Sequence, residues 1–179
     1  LEPREPGQVA GSIERTRQAA RRSLARSILS NSDIKLGAGG IRDVEFLVQG
    51  LQLIHAPRLH ASAVPPAGAA GAAKPAAKPA SALLSGNTLE ALEALGQAGV
   101  LGPEAVETLR RDYLFLRRIE HYLQLFENRQ THTLPTDPAA LEALARRLFG
   151  LEATAAQFLE QVAECLQRVE KAYLGLLLE

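Results

Sequence analysis

Apolar residues recur along this chain at steps of three and four in several separate stretches, the spacing of helices that bury one face. The first is Ile13, Ala20, Leu24 and Ile28, behind a Pro-rich lead at Pro3 and Pro6. Arg15, Arg17, Arg21, Arg22 and Arg26 decorate it. Arginines spread around a helix read as a solvated face; the sharper alternative is a surface for an acidic or phosphorylated partner. Asn31-Ser32-Asp33 breaks this helix. The alternation Asp33-Ile34-Lys35-Leu36 predicts a very short extended segment at 33–36, and Gly37, Gly39 and Gly40 predict a tight turn. A strong helix follows through Ile41, Val44, Leu47, Val48, Leu51 and Ile54, with Pro57 as its end.

Residues 61–80 hold ten Ala, four Pro, two Gly and two Lys, with Val64 as the one larger apolar side chain. Such a stretch cannot bury enough surface to offset its ordering entropy, so a flexible insertion is expected over 61–86. Helical spacing then resumes. Asn87 or Thr88 caps a short helix that Gly99 helps close, and Pro103 sits just inside the next. Leu109, Tyr113, Leu116, Ile119, Leu123 and Phe126 form a long stripe, while Arg117, His121, Gln124 and Asn128 run along a polar face. Asp137-Pro138 opens a helix that Gly150 terminates, and a last one runs from Phe158 to about Leu177. Helices joined by short loops favour neighbours packed antiparallel, so the expected fold is an all-α antiparallel bundle. Residues 1–60 and 87–179 make up one helical domain on either side of the insertion.

Composition narrows the function classes. Of 179 residues, 46% are hydrophobic and 22% charged, the balance of a globular domain. Twenty Lys+Arg against twenty Asp+Glu leave no basic excess, so no nucleic-acid partner is expected. No membrane partner is expected either, because no apolar run reaches the roughly 18 residues of a spanning helix. A single cysteine, Cys165, excludes a disulfide framework and fits a cytoplasmic setting. The chain holds no methionine, so it is expected to be a piece of a longer protein.

Candidate chemistry is sparse. Gly11-Ser12 begins like a nucleotidyltransferase signature, but an arginine-rich helix follows and no Asp-x-Asp appears downstream. Asp43-Val44-Glu45 lies on a helix, where residues two apart diverge and cannot share a metal ion. None of His55, His60, His121 and His132 has a two-ligand spacing, so no metal site is expected. Cys165 falls in an apolar pattern and reads as an inert thiol. The segment Lys35-Leu36-Gly37-Ala38-Gly39-Gly40-Ile41-Arg42 could meet phosphate through turn N–H groups, a helix N-terminus and two cations. Without Gly-Lys-Ser/Thr it is no P-loop, and turns of this kind more often simply connect elements.

The string Asp33-Ile34-Lys35-Leu36-Gly37-Ala38-Gly39-Gly40-Ile41-Arg42-Asp43-Val44-Glu45-Phe46, with Gln49-Gly50-Leu51-Gln52-Leu53-Ile54-His55 after it, resembles the helical domain of the glutamine synthetase adenylyltransferase family. Asn87-Thr88-Leu89-Glu90-Ala91-Leu92, Phe115-Leu116-Arg117-Arg118-Ile119-Glu120-His121 and Arg129-Gln130-Thr131-His132-Thr133-Leu134-Pro135 continue the resemblance. Ala38 stands where that family more often has Arg or Pro, and Asp43 where Glu is usual. The resemblance implies a bifunctional parent that adds AMP to, or removes it from, a tyrosine of glutamine synthetase. The strings look most like its N-terminal, adenylyl-removing half. It further implies an upstream nucleotidyltransferase domain holding ATP or ADP and Mg, with none bound to this piece, and the PII signalling protein as a further partner. On that footing Lys35, Gly37, Gly39, Gly40 and Arg42 are candidates to face phosphate. Asp33, Asp43 and Glu45 are candidates to position them, and Arg117, His121, Gln124, Arg129 and His132 to dock a partner. The competing expectation is that the 33–45 string is purely architectural. A helical protein-binding module, or the equivalent domain of a PII uridylyltransferase, is the alternative function.

Overall fold

The computed structural model describes residues 5–24, 33–62, 84–127 and 132–178 of the chain. Most of the expected flexible insertion, between 63 and 83, lies outside these residues. Among them the architecture is all-α. Its helices are α1 (Pro6–Leu24), α2 (Ile41–Ser62), α3 (Thr88–Gln97), α4 (Pro103–Glu127), α5 (Pro138–Phe149) and α6 (Ala155–Tyr173). A wider π turn, Leu174–Leu178, continues α6.

Local chemistry explains the boundaries. The Asn87 side chain accepts from the N–H groups of Leu89 and Glu90, and Asp137 from that of Ala140, with Pro138 at the first helical position. Thr154 and Gln157 form a reciprocal capping box at α6. Pro57 does not end α2, which runs on to Ser62. A proline removes one backbone donor, and that loss does not halt a helix whose preceding turns are anchored in the core.

The expected extended segment at 33–36 contracts to a single antiparallel bridge, Asp33 with Thr133. Asp33 Oδ1 accepts from the N–H groups of Lys35 and Leu36, both at 2.8 Å, and bends the chain into a turn before a strand can extend. Ile34 N–H donates to the His132 carbonyl, tying this turn to the segment after α4.

Two apolar clusters make the core. One gathers Val9, Val44, Leu47, Leu51, Leu92, Leu95, Leu109, Val169 and Tyr173 from α1, α2, α3, the start of α4 and the end of α6. The other gathers Ile34, Ile41, Leu116, Ile119, Leu144, Leu148, Phe158, Val162 and Cys165. Ile34 and Ile41 are fully buried in the second cluster, whereas Val44, one helical turn on, is fully buried in the first. The 33–45 segment therefore sits at the seam between the two.

Candidate functional site

Asp33 starts the segment by spending its carboxylate on the turn, and Gly37 N–H closes back on the Asp33 carbonyl. Gly39 follows with φ +70°, and a Cβ there would lie 1.8 Å from the Leu166 carbonyl oxygen of α6. Only glycine fits, because the turn presses directly on another helix's backbone. A Cβ on Gly40 would lie within 2.8 Å of the carbonyl oxygens of both Ile34 and Lys35.

The N–H groups of the turn's three glycines are already engaged. Gly39 N–H donates to Asp43 Oδ2 at 2.7 Å, Gly40 to Gly37, Ile41 to Ile34, and Arg42 to Lys35. With Lys35, Leu36 and Gly37 bonded as above, a phosphate seated here would have to displace an internal acceptor.

Asp43 is the buried centre of the segment. Arg17 of α1 grips it with both arms of its fork, Nε at 2.7 Å and Nη2 at 2.8 Å, and Arg21 Nη2 adds a contact at 3.2 Å. Arg17 is itself 3% exposed, so the reading of α1's arginines as a solvated face fails at this position. Its guanidinium lies 4.2 Å over the Tyr173 ring, and Tyr173 donates to Glu14 at 2.9 Å. Burial would lower the Arg17 pKa, but the hydrogen bonds and charge of Asp43 outweigh it and push the group up. Burial would raise Glu14, yet bonds from Gln18 and Tyr173 and the Arg17 charge hold it below the usual carboxylate range.

Lys35 turns the other way. Its Nζ lies 3.0 Å from Glu120 Oε1, Arg117 Nη1 lies 2.7 Å from Glu120 Oε2, and His132 Nδ1 lies 3.2 Å from Oε1. Arg42 and Glu45 form a separate surface pair at 3.3 Å, with Arg42 over the Phe46 ring. The candidates therefore fall into three groups: Lys35, Arg117 and His132 around Glu120; Gly39 and Asp43 with Arg17; Arg42 with Glu45. His121 is exposed and Gln124 half-buried on α4, while Arg129 lies outside the described residues. Among the described residues no group of three or more His, Cys, Asp or Glu is placed to hold a metal ion, and no helix is long and apolar enough to cross a membrane.

A family model described as GlnD PII-uridylyltransferase matches residues 8–177. The chain belongs to this GlnD PII-uridylyltransferase family. The expected resemblance is borne out by curated relatives named bifunctional glutamine synthetase adenylyltransferase/adenylyl-removing enzyme. The relative from Alteromonas mediterranea is 38% identical over 78% of this chain and 12% of its own length. That from Stenotrophomonas maltophilia is 42% identical over 73% of the chain and 11% of its length. That from Bordetella pertussis is 42% identical over 75% and 12%. The aligned stretch is thus only about an eighth of each relative.

In this member of the GlnD PII-uridylyltransferase family, the pattern read Arg17 as part of a solvated row and singled out neither Glu120, which organises the site, nor the buried Asp112 beyond it. Asp112 is 2% exposed and takes both arms of Arg168 at 2.8 and 3.0 Å. Cys165 lies beside it, its thiol 3.7 Å from the Asp112 carbonyl and pushed by burial to a pKa of about 12. A signal did exist. Arg17 falls four after Ile13, Asp112 three after Leu109, and Glu120 four after Leu116. A charge in register with an apolar stripe lies near the buried face, and where it is buried it needs a partner.

Proposed function

We propose that this chain is the helical accessory domain of a glutamine synthetase adenylyltransferase/adenylyl-removing enzyme, and that it braces a nucleotidyltransferase domain lying upstream in the longer protein. The observation that carries this reading is the commitment of the 33–45 segment to its own domain. The N–H groups of Gly37, Gly39 and Gly40, together with Asp43 and Lys35, are engaged by α1, α4 or the turn itself. A segment fixed at both its buried and its charged positions is a rigid edge, and a rigid edge orients a neighbouring domain better than a mobile loop does.

The parent activity calls for ATP or ADP and magnesium, and the described residues do not fit them. Among the described residues no carboxylate group is placed for a metal ion, and the glycine N–H groups of the turn are taken. Both are assigned to the upstream domain, as is contact with the reacting tyrosine of glutamine synthetase. Control by the PII protein and a cytoplasmic location belong to the same reading. The family description names a PII-uridylyltransferase, which makes that enzyme the second reading. Relatives at 38% and 42% identity that carry the adenylyltransferase name favour the first.

The test uses the full-length parent. Arg42→Ala, at the exposed end of the segment, is expected to leave KM for nucleotide and phosphate within about twofold of the unaltered enzyme. A rise of about tenfold with kcat retained would mean that the segment touches the nucleotide and is no mere brace. The 179-residue chain alone is expected to show no turnover of adenylylated glutamine synthetase. Turnover by the purified piece would overturn the division of labour.

A further inference from the structure

We propose that the outward side of the Glu120 cluster is a binding site for a phosphate-sized dianion, held by Lys35, Arg117 and His132. Three segments distant in sequence meet there: the glycine turn, the middle of α4 and the stretch after α4. Their cationic or protonatable ends converge on one carboxylate at 3.0, 2.7 and 3.2 Å. The carboxylate is the hidden member. Its side chain is 4% exposed, against 28% for Lys35, 47% for Arg117 and 21% for His132. Solvent therefore reaches the Lys35 and Arg117 side chains far more than the acid that gathers them, while His132 Nδ1 is buried against Glu120 with no hydrogen-bond partner of its own among the described residues. Asp33, the other carboxylate nearby in the chain, is buried and spends Oδ1 on the N–H groups of Lys35 and Leu36.

Donor capacity points to the ligand's chemistry. An ammonium carries three N–H donors and a guanidinium five, and each uses one on Glu120. The spare donors belong to two separate elements, the glycine turn and α4, which suits a tetrahedral oxyanion that accepts on several faces. Glu120 has already ordered two long side chains whose freedom an anion would otherwise have to remove. The backbone bond from Ile34 to the His132 carbonyl holds the His132 main chain beside the glycine turn. Lone surface lysines have neither advantage. This site differs from a cradle at the turn's N–H groups, because it uses side chains only and leaves Gly37, Gly39 and Gly40 as packing residues. It holds whichever enzyme the domain serves.

The experiment is an NMR titration of the 179-residue chain with inorganic phosphate at constant ionic strength, and in parallel with AMP. Saturable shifts are expected at the His132 ring and at the Lys35 and Arg117 amides, with half-saturation on the order of 1 mM. Equal affinities identify free phosphate as the natural source, and AMP tighter by about fivefold or more identifies a phosphomonoester. Arg117→Gln and Lys35→Gln are each expected to weaken binding about tenfold, while Arg146→Gln, an exposed arginine on α5, leaves it unchanged. Because Arg117 is half exposed, its variant is expected to unfold at nearly the temperature of the unaltered chain. A linear, unsaturating response, or equal weakening by Arg146→Gln, would show general charge attraction and overturn the site.

Discussion

Arg17 and Asp43 show how much one buried pair can be asked to do. Taking a guanidinium and a carboxylate out of water costs several kcal/mol each, and only two-armed geometry with further bonds returns it. Asp43 has both arms of Arg17, a contact from Arg21 and the Gly39 N–H, so its charge is answered on every side the structure describes. Asp43→Asn would keep the shape but remove Arg17's buried counter-charge, leaving only the longer contacts to Glu14 at 3.4 Å and Glu170 at 3.5 Å. It is expected to cost about 3–5 kcal/mol in urea unfolding. Arg17→Met with Asp43→Leu should cost far less than the sum of the two single losses, because no charge is left buried alone. Additive losses would mean the pair is not coupled. The acidic residue was legible in the sequence as a first-turn acid of α2. Its partner was not, because the pairing spans 26 residues and is decided by how α1 lies on α2. Glu120 escaped for the same reason. Helical periodicity says which face a residue shares, but not what stands opposite.

At the scale of elements, stop and start signals carried most of the information. Asn87, Pro103, Asp137-Pro138 and Gly150 mark the boundaries of α3, α4 and α5 because capping is a contest among neighbours in sequence. Pro57 and the 33–36 segment misled because the outcome depended on something else: core anchoring of α2 in one case, the Asp33 side chain in the other. The glycine turn can be tested against a control within the same chain. Gly39 and Gly99 have nearly the same φ, +70° and +71°. At Gly99 a Cβ would meet nothing within 4 Å, whereas at Gly39 it would strike the Leu166 carbonyl oxygen. Gly99→Ala should therefore cost only the left-handed strain, about 1–2 kcal/mol. Gly39→Ala should add an overpacking cost that backbone atoms cannot relieve, for a total of about 3 kcal/mol or more. Chemical denaturation of the two variants decides the point. Equal losses would mean that the turn stands clear of α6 in solution.

For the molecule as a whole, the question is whether the two apolar clusters melt as one. Each contains a buried group that ionises only with difficulty: Cys165 in the second and Tyr173 in the first. Burial pushes the thiol up to about 12; burial and then the bond to Glu14 raise the Tyr173 phenol. In an unfolded chain these groups titrate near 8.5 and 10. The folded pKa values are raised, so the stability they contribute is complete below the unfolded values and is lost as pH climbs towards the folded ones. Above about pH 8.5 the unfolded state releases a proton that the folded state keeps, and the equilibrium slides towards unfolding. The thiol alone should remove roughly 2 kcal/mol between about pH 8.5 and 10.5, with the phenol steepening the fall above about pH 10. Cys165→Ala should lower stability at neutral pH yet flatten the first part of that decline. Stability that stays level to about pH 10.5, or an unchanged slope in the variant, would mean the thiol is open to water. The same two groups report on cooperativity. The 33–45 segment places Ile41 in one cluster and Val44 in the other, so neither cluster can open without pulling on the helix start they share. Thiol labelling at Cys165 and phenol ionisation at Tyr173 should therefore rise together along one denaturant curve, and separate midpoints would mean that the seam does not hold the halves together.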